Sequence, residues 1–460
     1  MYTKAVSGCF DAVFYYLMSP RARELYKYPT ASGVELLHAA QWLAIFGDGH
    51  SKVPGMKGYT GVLPDGEAVH YVDKKRWFWL LSVTYPLQVF IPLWLHSATG
   101  NELWFVLPFV INFVLLPLLD ALIGEDENNP PEAVLMQLEQ DRYYRYLTWM
   151  TVPLHFIALV ACAVYAGTQS LSWWAFVLLA LLTGLISGLA INTAHELGHK
   201  NSRIEKWLAR LTLAVPAYGH FTVEHNRGHH LTVSTPEDCA SARMGESIYR
   251  FAMREIPGAF RRGWQLERER LASRNLPLWH YSNPILQSYA VSALLTVLLL
   301  AWAGWLTIPF LLLHHAAAYW QLTSANYIEH YGLLRQKSDN GRYERCAPQH
   351  SWNSNHVLSN LVLFHLERHS DHHANPLRRY QSLRHSEDLP SLPNGYLGMY
   401  MLAWVPPLWF KVMDPRLMAL PHVDGDLDRV NIDPRARPSI FLRWGRDKMA
   451  EPTVTNLPGI

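Results

Sequence analysis

The chain has 460 residues, of which 50% are hydrophobic and 17% are charged, and its formal net charge is +2. This small net charge argues against a nucleic-acid partner. The four widely spaced cysteines contain no CxxC pair, which excludes a disulfide framework, a zinc ribbon and a built-in rubredoxin-type iron site. The 23 histidines, in contrast, are more than an ordinary globular protein carries.

The N-terminal region does not have the pattern of a secretory signal, because Asp11 interrupts its apolar stretch and no small-residue cleavage site follows. Apolar residues at positions 10–18 recur at helical spacing, and residues 33–46 show a similar mixture. These amphipathic helices could lie on a membrane surface or pack on a neighbouring part of the chain, and packing is the favoured interpretation. Residues 1–70 are therefore assigned to an N-terminal extension.

Six later segments are apolar over about 20 residues, the length that a helix needs to cross the hydrocarbon core of a bilayer. They cover roughly residues 77–96, 102–123, 146–167, 173–194, 285–304 and 306–325. The short connections within successive pairs contain no Lys or Arg, whereas basic residues such as Lys74, Arg142 and Lys200 flank the outer ends. The positive-inside rule therefore predicts that both termini and the long polar segments are cytoplasmic.

The predicted fold is all-α: a polytopic membrane protein with six transmembrane helices and a cytoplasmic, histidine-rich cap. Residues 71–435 form the membrane domain with its cap, and residues 436–460 form a C-terminal tail. The alternative, buried helices of a soluble protein, is disfavoured because four such segments follow one another closely. Pro406 and Pro407 make residues 395–413 better suited to a surface or re-entrant segment than to a seventh span.

Four histidine clusters follow the fourth and sixth spans or lie in the cap. They are His195 and His199; His225, His229 and His230; His330; and His369, His372 and His373. Residues three and four apart lie on one helix face with Cβ atoms about 5–6 Å apart, so two imidazoles of one cluster can reach one metal or two adjacent metals. All four clusters are expected on the cytoplasmic side, where they can meet at one depth.

Nine histidines are too many for a single ion, because a zinc ion takes four ligands and a catalytic one usually takes three from the protein. Two metals with four or five imidazoles each would use all nine. Imidazole suits iron, copper, nickel and zinc, so the spacing leaves the metal open. His314 and His315 lie within the sixth span, and we assign them to hydrogen bonds between helices rather than to a pocket.

Carboxylates beside the clusters are candidates for accepting the second ring N–H of a metal-bound histidine. The candidates are Glu196, Glu224, Glu329, Glu367 and Asp371, with Asp238 as a weaker one. We expect roughly half of them to take this role and the others to face solvent.

Two other functions fit part of this pattern. The sequence from His195 to His199 also matches the HExxH motif of zinc proteases, in which the glutamate is the general base. Intramembrane proteases of this type take a later aspartate as a ligand, whereas Asp120 precedes the motif, and three clusters would have no role. A metal transporter would need ionisable groups running through the bilayer, and the few in the spans form no continuous row.

The sequence around the clusters resembles that of the bacterial membrane-bound alkane monooxygenases of the histidine-box di-iron superfamily. The likeness is carried by HELGHK, EHNRGHH, NYIEHYGLLR and LERHSDHH, and by LLDALIGEDENNPP and MGESIYRFAMREIPGAF outside the clusters. It covers roughly residues 70–435. NYIEHYG is not a feature of the related fatty-acid desaturases, which remain, with lipid hydroxylases, the nearest alternative.

The resemblance implies the terminal hydroxylation of medium-chain n-alkanes to 1-alcohols with O2, at two non-haem iron ions, in the bacterial inner membrane. It implies that the nine histidines named above are the iron ligands. Electrons would pass from NADH through a reductase and a separate rubredoxin. An alkane offers no hydrogen-bonding group, so its binding must rest on apolar burial, about 0.8 kcal/mol per CH2.

Two further predictions concern the substrate and the electron donor. Asn112 matches the second-span position that, in the family, limits how deep an alkane sits, and the alternative is an interhelical hydrogen-bonding role. Arg378, Arg379 and Arg384 follow the fourth cluster and are predicted to dock the acidic rubredoxin. The alternative is a solvated or headgroup-binding surface.

Overall fold

The structure is a computed structural model, and it describes residues 57–126 and 128–445. The predicted amphipathic helices of the N-terminal extension and the end of the tail lie outside the described residues. The described part begins with an antiparallel hairpin, β1 (Gly58–Val62) and β2 (Ala68–Val72), in which Tyr59 lies opposite Tyr71. This hairpin is the only sheet within those ranges, and the all-α prediction is otherwise confirmed.

Helices make up the rest of the regular structure in the described part of the chain. In chain order they are α1 (Leu80–Thr84), α2 (Phe90–Thr99), α3 (Leu107–Val110), α4 (Leu116–Ile123), α5 (Leu135–Gln140), α6 (Arg142–Thr168), α7 (Trp173–Gly198), α8 (Arg203–Ala214), α9 (Phe221–Glu224), α10 (His230–Thr232), α11 (Ile248–Ala272), α12 (Pro284–Ala303), α13 (Thr307–His330), α14 (Val357–Val362), α15 (His369–Ala374), α16 (Tyr396–Ala403), α17 (Pro406–Met418) and α18 (Arg437–Trp444). Two π-helical turns, at Ile111–Leu115 and His225–His229, continue α3 into α4 and α9 into α10.

Four helical segments are long and apolar enough to cross a membrane: Glu102–Ile123, α6, α7 and α12. They match the second to fifth predicted spans. The first predicted span is divided, because a 3-10 turn containing Pro86 separates α1 from α2. The sixth predicted span falls on α13, which is helical but carries polar residues such as Gln321 and Asn326. A helical membrane protein is therefore confirmed, whereas the count of six spans stays a prediction.

Close packing of α7 against α13 positions two of the histidine clusters. A Cβ atom on Gly188 would lie 2.5 Å from Cγ of Gln321, and one on Gly184 would overlap the backbone oxygen of His314. Only glycine permits this approach of the two backbones. Because His195 lies in the last turn of α7 and His330 ends α13, the packing brings these two imidazoles to the same end of the helix pair.

The cap surrounds that end of α13. Tyr327 and Tyr331 pack on Trp409 of α17, with ring centroids 5.1 and 5.3 Å apart, and the Tyr331 hydroxyl donates a hydrogen bond of 2.8 Å to Asp414. Pro406 begins α17. Proline is favoured in the first turn of a helix because its φ is fixed near the helical value and its missing N–H has no partner there. The predicted surface or re-entrant segment is thus folded as two short helices, α16 and the first part of α17.

Candidate metal centre

Four segments present the nine predicted histidines at one end of the α7–α13 pair. The last turn of α7, the end of α13, the π-helical turn that begins at His225, and the short helix α15 each contribute at least one. Eight of the nine are buried, and His230 is partly exposed. The expected convergence of all four clusters at one depth is observed.

Five of these side chains form a first group. Its members are His195, His199, His225, His230 and His372, and one nitrogen of each lies within 4.8 Å of the others. The Nε2 atoms of His195 and His372 are 2.9 Å apart, and those of His225 and His230 are 3.0 Å apart. The five rings therefore point their free nitrogens at a common space.

The other four side chains form a second group beside the first. Its members are His229, His330, His369 and His373, and their nitrogens also lie within 4.8 Å of one another. Nε2 of His369 is 3.2 Å from Nε2 of His330 and 2.9 Å from that of His373. The ring centroids of His230 and His373 are only 4.4 Å apart. Spacing in the sequence left the division of the histidines open, and the structure divides them five and four.

The chemistry of both groups fits metal ions. Imidazole nitrogens bound to one transition metal at about 2.1 Å lie about 3 Å apart, which is the separation observed within each group. Burial lowers the pKa of His372 and His373 well below the ordinary value, so both rings are neutral and offer a lone pair. Nε2 of His199 is buried without a hydrogen-bond partner among the described residues. The nine histidines therefore have the positions and the chemistry that a metal centre requires.

The π-helical turn explains how one cluster serves both groups. A π helix bonds residue i to i+5 instead of i+4, and the N–H of His230, directly after this turn, bonds to the backbone oxygen of His225. His225 and His230 belong to the first group, while His229 belongs to the second. In a regular α-helix His225 and His229, four residues apart, would instead lie on one face. Arg262 packs closely on this turn, with Nε 2.7 Å from the position of a Cβ on Gly228.

Two hydrogen bonds orient histidines of the second group through Nδ1. His229 Nδ1 lies 2.8 Å from the carboxylate of Asp238, and His330 Nδ1 lies 3.0 Å from the backbone oxygen of His350. Asp238 also accepts hydrogen bonds of 2.7 Å from Arg262 and Ser241. Burial opposes ionisation of Asp238, but His229 and Arg262 outweigh it and hold its pKa well below the ordinary range. Both contacts leave Nε2 of the histidine directed at the other three rings.

Most carboxylates predicted from sequence to hold histidines have other contacts. Glu329 approaches His369, but its oxygen lies 3.5 Å from Nε2, the nitrogen that faces the other rings, and Nδ1 of His369 has no hydrogen-bond partner among the described residues. The others contact Lys200 (Glu196), Arg262 (Glu224), Arg378 (Asp371) and the backbone N–H of Tyr396 (Glu367). Asp238, the weaker candidate, is the carboxylate that contacts Nδ1 of a histidine, His229. Proximity in the sequence had favoured the other five carboxylates for this role. The contact of His330 with the backbone oxygen of His350 could not be predicted, because a backbone carbonyl leaves no signal in a pattern of side chains.

A largely apolar cavity lies between α7 and α13 and ends at histidines of both groups. It is lined by Gly188, Leu189, Ile191, Asn192, His195, Phe221, His225, Gln321, Leu322, Ala325, Asn326, Glu329, Leu363, Leu366, His369 and Tyr400. Seven residues of helix, about 10 Å, separate Gly188 from His195. The cavity therefore places an apolar surface directly beside the histidines.

Asn112 does not line this cavity. It is buried in the π-helical turn before α4, where its amide nitrogen donates hydrogen bonds of 2.7 Å to Gln88 and to the backbone of Pro108. Its oxygen accepts one from the Tyr85 hydroxyl. These contacts favour the alternative of an interhelical hydrogen-bonding role. His314 plays such a role, as predicted, because its Nε2 lies 2.8 Å from the hydroxyl of Ser187 on α7.

The three arginines of the predicted docking surface all have internal partners. Arg378 contacts Asp371 at 2.8 Å, Arg379 contacts Glu205 at 2.8 Å, and Arg384 contacts Glu132 at 3.0 Å. The side chains of Arg378 and Arg379 are only 14% and 12% exposed, whereas that of Arg384 is 39% exposed. The salt bridges of Arg378 and Arg379 hold the cap together. Docking of rubredoxin at this surface stays a prediction, and Arg384, the most exposed of the three, is the best candidate for it.

The fold and the metal centre define a class of protein: a helical membrane metalloprotein whose histidines come from helix ends and from the cap. The model of the fatty acid desaturase family matches residues 171–410, a range that contains all four clusters. The chain belongs to this family.

Within that class, comparison with characterised proteins is more specific. The chain is 52% identical over 389 residues to an alkane 1-monooxygenase of Pseudomonas putida, which covers 85% of this chain and 96% of the relative. It is 50% identical over 391 residues to alkane 1-monooxygenase 1 of Alcanivorax borkumensis, with the same shares. An alkane 1-monooxygenase of Acinetobacter baylyi is 38% identical over 404 residues, or 87% and 98% of the two chains. The chain therefore belongs to the alkane 1-monooxygenases, as its motifs predicted.

Proposed function

We propose that this chain hydroxylates the terminal methyl group of medium-chain n-alkanes and releases 1-alcohols. One oxygen atom of O2 enters the terminal C–H bond, and the other leaves as water after taking up two electrons and two protons. Membership of the family supports the reaction, because the relatives at 50–52% identity are named for it.

The observation that carries the proposal is where the cavity ends. Its walls are mainly apolar, and it stops at His195, His225 and His369, which come from both histidine groups. Each CH2 that leaves water for such a cavity contributes about 0.8 kcal/mol. An alkane can therefore bind without a polar handle, and contact with this apolar surface would present its terminal carbon to the histidines by position alone.

We infer that each histidine group binds one iron ion. The proposed ligands are His195, His199, His225, His230 and His372 for one ion, and His229, His330, His369 and His373 for the other. The irons would supply the activation of O2. The protein itself supplies the imidazoles, all of them buried except that of His230, and Asp238 fixes the ring of His229 by its 2.8 Å contact to Nδ1. Glu329, buried beside His369, is the carboxylate among the residues that line the cavity.

The experiment that tests this proposal is turnover of plain alkanes by the purified protein in lipid nanodiscs. Octane, dodecane and hexadecane would be supplied with O2, rubredoxin, its reductase and NADH, and the products separated by gas chromatography. We expect 1-alkanols, and about two iron atoms per chain by elemental analysis. Protein that contains one zinc and no iron, or that yields no 1-alkanol from any of the three alkanes, would contradict the proposal.

Electrons are proposed to come from a separate rubredoxin on the cytoplasmic side of the bacterial inner membrane, with both termini on that side. Electrostatic docking of an acidic protein predicts that the rubredoxin-dependent rate falls as ionic strength rises. Arg384→Glu should raise the apparent KM for rubredoxin and leave the KM for alkane unchanged. Arg342→Glu, in an exposed loop, is the matched control. Equal KM values for rubredoxin in both variants, with no salt dependence, would move the docking surface elsewhere.

A fatty-acid desaturase or lipid hydroxylase is the second candidate, because the matching family model is that of fatty acid desaturases and Asn192, Gln321 and Asn326 add polar groups to the cavity. Incubation with a saturated acyl lipid discriminates between the two. A new double bond or a hydroxylated acyl chain, without conversion of alkane, would select this candidate.

A further inference from the structure

The helix α11 carries an apolar stripe that no described part of the chain covers. Tyr249, Met253 and Phe260 are 51%, 79% and 46% exposed, and their spacing of four and seven residues places them on one face. Trp264 continues the stripe one turn further and is partly exposed. A soluble surface rarely exposes a contiguous row of large apolar side chains without a partner.

The stripe is continuous at both ends with helices of the membrane domain. The ring of Tyr249 stacks on Trp320 of α13 with centroids 5.5 Å apart. At the other end Trp264 lies 6.2 Å from Trp279, which is 74% exposed and precedes α12. The span α12 in turn exposes apolar side chains such as Leu298. This continuity identifies the occupant of the stripe as the bilayer that surrounds α12, rather than a separate protein.

Charge on α11 is divided between its two faces. On the inner face Arg254 pairs with Glu246, and Arg262 pairs with Glu224 and Asp238. At the edge of the apolar stripe, Arg261 and Arg268 are exposed, and neither forms a salt bridge with another described residue. Guanidinium groups beside an apolar helix face are suited to lipid phosphates, because the stem lies along the apolar surface while the fork binds phosphate oxygens.

We propose that α11 lies in the plane of the leaflet next to the metal centre, with its stripe among the upper acyl chains and with Arg261 and Arg268 bound to anionic phospholipid phosphates. An amphipathic helix with these features binds the boundary between headgroups and acyl chains. The same helix carries Arg262, which contacts the carboxylate that holds His229. The bilayer thereby supports one wall of the metal centre.

Spin labels attached along α11 test its position. Single cysteines would be introduced at Met253 and Phe260 on the stripe, and at Gln265 and Glu269 on the exposed polar side as controls. The four native cysteines would be replaced, and the full chain reconstituted in vesicles of phosphatidylethanolamine with a minority of phosphatidylglycerol. Labels on the stripe should collide with O2 more often than with a polar nickel complex, and the control labels should show the reverse. Metal content verifies that each variant keeps its fold.

The arginines are tested by lipid retention. Arg261→Gln and Arg268→Gln should each weaken binding of phosphatidylglycerol, measured by mass spectrometry after detergent titration, by about fivefold. Arg342→Gln and Arg345→Gln, both in an exposed loop, should leave it unchanged. The proposal is overturned if the stripe labels meet the polar reagent as freely as the controls, or if they are shielded from both reagents. It is also overturned if all four arginine variants retain the same amount of phosphatidylglycerol.

Discussion

Replacing Asp238 by Asn tests the contact that we regard as decisive for the second histidine group. Asn keeps the size of the side chain but removes the negative charge that lies 2.8 Å from His229 Nδ1 and 2.7 Å from Arg262. Losing the partner of a metal-bound histidine typically lowers metal affinity or activity about 10–100-fold, which corresponds to about 1.4–2.7 kcal/mol. Arg262 keeps Glu224 as a partner, so the fold should persist and the loss should fall on the metal.

The assay for this variant is iron content during a timed challenge with a chelator, followed by alkane turnover. Asp371→Asn is the matched control, because Asp371 also lies beside a histidine cluster but contacts Arg378 and Asn375 instead of an imidazole. We expect Asp238→Asn to lose iron faster than the wild-type chain and Asp371→Asn to retain it. Identical iron loss and turnover in the two variants would refute the reasoning.

Three further predictions follow from the same contacts. His330→Ala removes the proposed ligand on α13, so turnover and iron content should fall while the helical circular dichroism is kept; undiminished turnover would remove His330 from the proposed ligand set. Gly184→Ala and Gly188→Ala should each lower the free energy of unfolding by about 1–3 kcal/mol, because the new methyl overlaps the backbone oxygen of His314 in the first and Cβ and Cγ of Gln321 in the second; thermal stability equal to that of the wild type in both variants would contradict this. Burial raises the pKa of Asp141, but the hydrogen bonds that its carboxylate accepts, above all the one from Arg76, outweigh burial and lower this pKa to about 2. The stabilisation that ionised Asp141 gives to the fold is therefore complete above about pH 4 and is lost as the pH falls towards 2. The temperature of thermal unfolding should fall over this pH range in the wild type and fall less in Asp141→Asn.

The nine histidines that the structure brings together were accessible to sequence reasoning because their identity and spacing can be read from the chain. Their division between two groups was not, because it depends on the π-helical turn at His225–His229, and this backbone form has no clear residue signature. The same limit applies to Asp238, which lies eight residues beyond His230 in the sequence yet reaches His229 because the chain turns back after α10.

The membrane helices also show which features of the fold hydropathy can predict and which it cannot. Hydropathy predicted α6, α7 and α12 well, since apolar side chains occur along the whole length of these helices. It could not predict that Pro86 divides the first segment. It also gave no information on Asn112, whose hydrogen bonds with Gln88 and Tyr85 depend on the packing of two segments.

The two histidine groups share chain segments, and this has a consequence for assembly of the enzyme. His229 and His230 are adjacent residues in different groups, and so are His372 and His373. An ion bound in one group therefore restricts the backbone that presents ligands to the other, so the second ion binds at a smaller entropic cost. Loading should consequently be cooperative: at substoichiometric iron the population should consist mainly of empty and fully loaded molecules, with few that hold a single ion.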